Sequence, residues 1–315
     1  MPIQIILNIK MRIWLLLILI LGMVYFTMQR KIYPQLSYNA PLSRLQHPLD
    51  TRLRYRIGAI DPGFGLSQQQ LMQLSQQAGD IWNMGTGRDY FVYDPKAKLT
   101  INLIYDERQA ESVARQQKVQ RIETTRSLTD AEQQKVQQLD AQLAQAKSAL
   151  DLSQSNYQHQ LAQYNQTVQD FNQTQQYLTD AVRQQLSLQK QQLQQQQFAL
   201  QQQIYAFNLK VSQLNQQVHY LNAMHQQLNQ SIDSFNQHFQ PHQFDKGLFN
   251  GREINIYEFE SEDDLRLTLA HELGHALGLQ HTQDPKALMY PVMQRQDLKN
   301  FKLTAADLEL LNSRH

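Results

Sequence analysis

Between Arg108 and Gln240 the chain contains no glycine and no proline, and this narrows its architecture more than any other feature. The two residues that most readily stop a helix or reverse a chain are missing over a length that ordinary domains punctuate many times. Glutamine fills about three positions in ten of the stretch, so a disordered polar tract is the first alternative. The apolar spacing argues against it. Leu200, Ile204, Phe207, Val211, Leu214, Val218, Leu221, His225, Leu228, Ile232, Phe235 and Phe239 follow one another at steps of four and three. Val136, Leu139, Leu143, Ala146 and Leu150 keep that step upstream, and Tyr157 to Leu178 largely resume it. Such a repeat is a heptad seam, which predicts a coiled coil. Thr129, Asp130, Ala131 and Glu132 have the form of a capping box, which predicts that a helix restarts there. Pro241 is expected to end the coil.

Sequence with the character of a folded domain lies on both sides of residues 107–242, so both ends of this insertion must return to one place. An antiparallel helical hairpin does so, with its tip between residues 172 and 198. Arms of about 60 residues would each reach roughly 90 Å. Two roles stay open: a spacer whose seam only joins its own arms, or an arm that binds a coiled-coil partner or self-associates through residues 107–240. The glutamine-rich outer face carries no charge pattern that would name a partner.

Residues 13–28 are free of charge, with Lys10 and Arg12 before them and Arg30 and Lys31 after. This length of helix covers about 24 Å, slightly less than a hydrocarbon core, and Trp14 and Tyr25 stand where interfacial anchors belong. The exit from Met23 to Met28 offers no small-residue cleavage site. Residues 1–31 are therefore read as a membrane anchor, with a cleaved signal peptide, and hence secretion, as the rival. The balanced flanking charges do not set an orientation. Residues 32–52, with Pro34, Pro41 and Pro48, read as a linker.

Leu53 to Ile60 reads as a strand, and Asp61-Pro62-Gly63 as a turn. Ser67 caps a helix whose Leu71, Leu74, Ala78, Ile81 and Trp82 share a face. Tyr90–Tyr93, Leu99–Tyr105 and Arg252–Phe259 read as further strands. Ser261 caps a helix whose acidic first turn suits the helix dipole, and Thr304 caps a shorter one. Net charge is +1, which favours no nucleic acid and no strongly charged partner. The absence of cysteine excludes disulfides without fixing a compartment.

The chemistry is concentrated in His271-Glu272-Leu273-Gly274-His275-Ala276-Leu277-Gly278-Leu279-Gln280-His281. His271 and His275, at i and i+4, stand one turn apart on one helical face, so both imidazoles can reach one ion. Gly278 lets the chain leave the helix through a left-handed turn, which brings His281 back as a third ligand. Three neutral imidazoles leave a tetrahedral zinc ion one open position for water. Glu272, one residue past the first ligand, is placed to take a proton from that water rather than to bind metal. His238 and His242 straddle Pro241 and read as ordinary polar residues.

Eight residues past His281 stands Met289, in Asp284-Pro285-Lys286-Ala287-Leu288-Met289-Tyr290-Pro291. A long histidine motif followed by a methionine turn resembles the metzincin zinc proteases. The run from His281 to Pro291 is most similar to the matrixin branch. The resemblance implies an α+β catalytic domain, with a mixed twisted sheet plus helices, split into residues 53–106 and 243–315 around the coiled-coil hairpin. It further implies a zinc endopeptidase acting on protein or peptide substrates, with the domain outside the cytoplasm. Met289 would form the floor of the site, and Tyr290, Pro291 and Met293 would line the pocket for the side chain after the scissile bond. Thr282 and Met293 depart from the residues usual in the family. The strand Arg252–Phe259 would be the sheet edge that binds an extended peptide, and Asp307 matches an aspartate of the family's last helix. One catalytic zinc is implied. Because the insertion falls where matrixins carry a loop with structural metals, those secondary sites are expected to be absent; calcium elsewhere stays open, with no residue pattern to support it. Two other readings compete: a membrane-anchored coiled-coil adaptor, and a non-catalytic scaffold that keeps the fold.

Overall fold

The computed structural model describes residues 2–174, 179–240, 245–293 and 295–314. It divides into two compact units, one running to Gln116 and resuming at Pro241, the other comprising Gln117–Gln240.

The first unit begins with α1 (Pro2–Ile32), which contains the one helical stretch among the described residues long and apolar enough to cross a membrane, Trp14–Ile32. After it the expected linker is not extended. Residues 34–37 form a short 3₁₀ turn, and Pro41–Gln46 form α2. The prolines start these turns rather than hold the chain open, since each stands at a first helical position where no amide hydrogen bond is needed. Asn39 joins the segment to the domain, its amide donating to the Arg52 carbonyl (2.8 Å) and its carbonyl accepting from the Arg54 amide (2.8 Å). Leu36 is fully buried.

The sheet contains β1 (Leu53–Ile60), β2 (Phe91–Tyr93), β3 (Leu99–Leu103), β4 (Gly247–Phe249) and β5 (Glu253–Ile256), in the order β2-β1-β3-β5-β4. All pairs are parallel except β4 with β5. Parallel neighbours need long crossovers, and α3 (Gln68–Thr86) supplies the one from β1 to β2. This makes the domain α/β in character, where α+β was expected. The segment around residue 254 is not the sheet edge: β5 is interior, and the edge on its side is the three-residue β4, antiparallel to it. The helices begin at the expected caps. Ser67 and Gln70 form a complete capping box, and Ser261 Oγ accepts the Asp264 amide of α6 (Glu262–Ala276). Thr304 and Asp307 box the start of α7 (Ala305–Ser313). One buried cluster, including Leu53, Tyr55, Trp82, Ile101, Ile254, Leu269 and Leu288, joins the sheet to α3 and α6.

The second unit is made by α4 (Glu107–Thr174) and α5 (Asp180–His238). Its burial repeats at the expected step. Ile122 and Thr129 on α4, and Leu221 and Leu228 on α5, are buried. Val136, Leu139, Leu143, Ala146 and Leu150 are half-buried between more exposed residues. Ile204 departs from the seam and is exposed. No helix restarts at Thr129. Its hydroxyl donates to the Thr125 carbonyl one turn back (2.8 Å), a bond that fits inside a continuous helix, and Glu132 pairs forward with Lys135 (3.0 Å). Among the described residues α4 ends at Thr174 and α5 begins at Asp180, capped by Thr179; a hairpin tip was expected between residues 172 and 198, a range that includes residues outside the described ones. Residues 175–178 and Pro241 lie outside the described residues. The first turns of α4 belong to the other unit. There Gln109 exchanges two hydrogen bonds with the Phe259 backbone (3.1 and 2.9 Å), and Arg115 pairs with Glu260.

Candidate metal centre

Helix α6 carries His271 and His275, and the chain after it returns His281. The return is a Schellman turn: the Leu279 amide donates to the Gly274 carbonyl (3.1 Å) and the Gly278 amide to that of His275 (2.9 Å). Gly278 adopts φ +91°, a conformation costly for any residue with a side chain. The result is a triangle of three Nε2 atoms. They stand 3.2 Å apart for His271 and His275, 3.2 Å for His275 and His281, and 3.3 Å for His271 and His281.

The back of each ring on α6 is tied down. His271 Nδ1 lies 2.6 Å from the Leu288 carbonyl, and His275 Nδ1 lies 2.9 Å from the Leu279 carbonyl. A carbonyl can only accept, so each Nδ1 carries the proton and each Nε2 turns a lone pair toward its neighbours. Burial lowers the pKa of His271 to about 4 and also lowers that of His275, which keeps both rings neutral. The two α6 rings turn lone pairs toward each other with no hydrogen to share, so their 3.2 Å approach is not a hydrogen bond. A tetrahedral zinc with bonds of about 2.0–2.1 Å separates its donors by about 3.3 Å, and this donor set fits it.

Glu272 is buried. Its carboxylate accepts a hydrogen bond from the backbone of Phe249 in β4, and burial, the larger influence, pushes its pKa up to about 7. Gly247 makes the approach of α6 to this strand possible, because a Cβ there would stand 2.9 Å from Glu272 Cγ and 3.0 Å from Oε1.

Met289 is fully buried in the turn below α6. Gly274 accommodates it: a Cβ at that position would lie 2.4 Å from Met289 Sδ and 2.8 Å from Trp82 Cζ2. A mid-helix glycine costs about 1 kcal/mol against alanine, so its presence between two ligands signals a close approach. Trp82 braces the same helix through Nε1, which donates to the Ala270 carbonyl (2.8 Å). Asp307 holds the methionine turn. Its fully buried carboxylate accepts the Leu288 and Met289 amides, both at 3.0 Å, while completing the capping box of α7. The bracing by Trp82 and the clamp by Asp307 have no local signature, since each joins residues distant in sequence. Of the residues expected to line a pocket, Tyr290 is half-buried, Pro291 is exposed and Met293 packs against the core cluster. Among the described residues, these three histidines are the one group with metal-ligand geometry.

Comparison with known proteins agrees with this geometry. The matrixin family model matches residues 51–314. Over 47 residues the chain is 53% identical to matrix metalloproteinase-16 of Homo sapiens, a match covering 15% of this chain and 8% of that protein. It is 50% identical over 50 residues to macrophage metalloelastase of Oryctolagus cuniculus, covering 16% and 11%. Against matrilysin of Felis catus the figures are 53% over 38 residues, 12% and 14%. The chain thus spans a small part of the length of these relatives.

Proposed function

The chain belongs to the matrixin family, and from that premise we propose that it is a zinc-dependent endopeptidase with Glu272 as its general base. The observation that carries the reading is the triangle of His271, His275 and His281, with the two rings on α6 held by backbone carbonyls as neutral donors. Zinc in a three-imidazole site supplies Lewis acidity, polarising a carbonyl and making water acidic enough to react near neutral pH. Glu272 takes a proton from the attacking water and delivers it to the leaving amine. Burial raises its proton affinity, which suits a carboxylate that must first take a proton and then return it.

Substrate enters along β4. As the edge strand it has main-chain groups free of sheet partners on one side, which an extended peptide can pair. Its exposed Leu248 offers an apolar contact on the way. Met289 supports the ligands from below, and Tyr290, Pro291 and Met293 form the wall of the pocket beyond the scissile bond. The catalytic domain is divided, residues 53–106 and 243–315, and α4 and α5 pair as an antiparallel coiled-coil hairpin along their buried stripes. α1 anchors the chain in a membrane, with the protease outside the cytoplasm.

The test compares the zinc-loaded full chain with its Glu272→Gln variant on a mixed peptide library. Cleavage by the first and none by the second, each with one zinc per chain, is the expected result. Full activity in the variant would end the assignment of Glu272, and absence of bound zinc would end the reading itself.

A further inference from the structure

Leu42, Leu45 and Leu49 are 66%, 65% and 84% exposed, in a segment that is otherwise fastened down. Leu42 and Leu45 stand at i and i+3 on α2, one above the other, and Leu49 follows in the turn after it. That turn is held against α1. Tyr25 Oη and Gln29 Nε2 both donate to the Pro48 carbonyl, at 3.2 and 3.1 Å, and the Arg44 guanidinium lies 5.0 Å over the Phe26 ring. Tyr25, Phe26 and Gln29 belong to the apolar stretch Trp14–Ile32. The segment 41–49 therefore runs beside the last two turns of that stretch, not beyond its end.

Charge follows the same arrangement. From Arg30 to Arg54 the sequence has five lysines or arginines and one acid, Asp50. Asp50 is already engaged by Arg52 (2.9 Å) and Arg54 (2.6 Å), which leaves Arg30, Lys31 and Arg44 without a neighbouring carboxylate in this stretch. Burial and the nearby Arg30 charge both lower the proton affinity of Arg44. Exposed leucines and cations within one short segment, beside the end of a candidate membrane span, match the chemistry of the headgroup boundary.

We infer that α2 and the turn through Leu49 form a lipid-docking collar, with Leu42, Leu45 and Leu49 entering the headgroup–acyl boundary while Arg30, Lys31 and Arg44 meet lipid phosphates. The inference rests on the reading of α1 as a retained anchor. The collar fixes the domain close to the bilayer surface instead of leaving it on a free tether.

Because the chain lacks cysteine, single labels can be placed without a background. Nitroxides are attached at Leu45→Cys, Leu19→Cys and Leu128→Cys in the full chain, reconstituted in vesicles of equal parts phosphatidylcholine and phosphatidylglycerol. Accessibility to oxygen is compared with accessibility to a water-soluble nickel chelate. The ratio of oxygen to nickel accessibility at Leu45 is expected to be several-fold above that at Leu128 and close to that at Leu19. A label at Leu45 as hydrated as the one at Leu128, with Leu19 in lipid, overturns the collar and leaves the anchor standing. Hydration at Leu19 as well overturns both, and identifies the anchor as the part that failed.

Discussion

The metal centre and the long helices use opposite kinds of information. In the helical unit the signal is one-dimensional. The same step of three and four recurs, and burial at Ile122, Thr129, Leu221 and Leu228 keeps to it. In the metal centre almost every contact that matters joins distant residues: Trp82 to Ala270, His271 to Leu288, Leu288 and Met289 to Asp307. The glycines differ in the same way. The helical unit has none, whereas the other unit places Gly247, Gly274 and Gly278 where a side chain would collide or strain the backbone. A periodic structure spreads its stability over many equivalent positions, while a site built by convergence concentrates its failure in a few.

That contrast can be broken by substitution. The largest effect is expected for His281→Ala, which removes a donor. Groups that only hydrogen-bond a metal's ligands are worth roughly 10–100-fold in affinity, so loss of a ligand itself should exceed about 100-fold. Competition against a zinc chelator reads it; undiminished affinity would remove His281 from the ligand set. Asp307→Ala comes next. It strips two buried amides of their acceptor and should lower the stability of the first unit by about 2–3 kcal/mol, while α4 and α5 melt unchanged. A loss shared equally by both units would contradict the local clamp.

Leu228→Ala probes the other side. It should cost about 2 kcal/mol, the low end for a buried leucine, and leave zinc content and cleavage of short peptides untouched. Loss of zinc in this variant would mean that the two units depend on one another. The smallest effect is expected at Thr129→Ala, about 1 kcal/mol or less by thermal unfolding, because the buried methyl it removes is partly offset by the helix preference of alanine and the hydroxyl bond is only back-bonding within the helix. A loss above about 2 kcal/mol would mean that Thr129 holds the seam far more strongly than one buried methyl and one back-bond account for.

The same division explains what could be read before the fold was known. The caps at Ser67, Ser261 and Thr304 were legible because a side chain and an amide three residues on suffice to form them. The histidine spacing was legible because helix and turn geometry are local. Strand β4 was not: three residues beginning with glycine carry no alternation, and only pairing with β5 makes them a strand. Edge and interior were exchanged for that reason. The segment 32–52 misled in another way, since proline starts short turns as well as extended linkers, and burial of Leu36 depends on the domain it meets. Thr129 to Glu132 have the residues of a capping box, but no glycine or proline precedes them to break the helix. Asp307 was visible as a residue and silent as a clamp, because its partners lie 18 and 19 positions away.

X-ray absorption at the zinc edge of the loaded full chain tests the central claim most directly. Three imidazole nitrogens at about 2.0–2.1 Å, with one further light donor that is not a protein side chain, is the result the geometry predicts. Loss of one imidazole in His281→Ala would then identify the third. A sulfur scatterer from Met289, a fourth protein ligand closing the site, or zinc that binds without imidazole would contradict an open three-histidine centre.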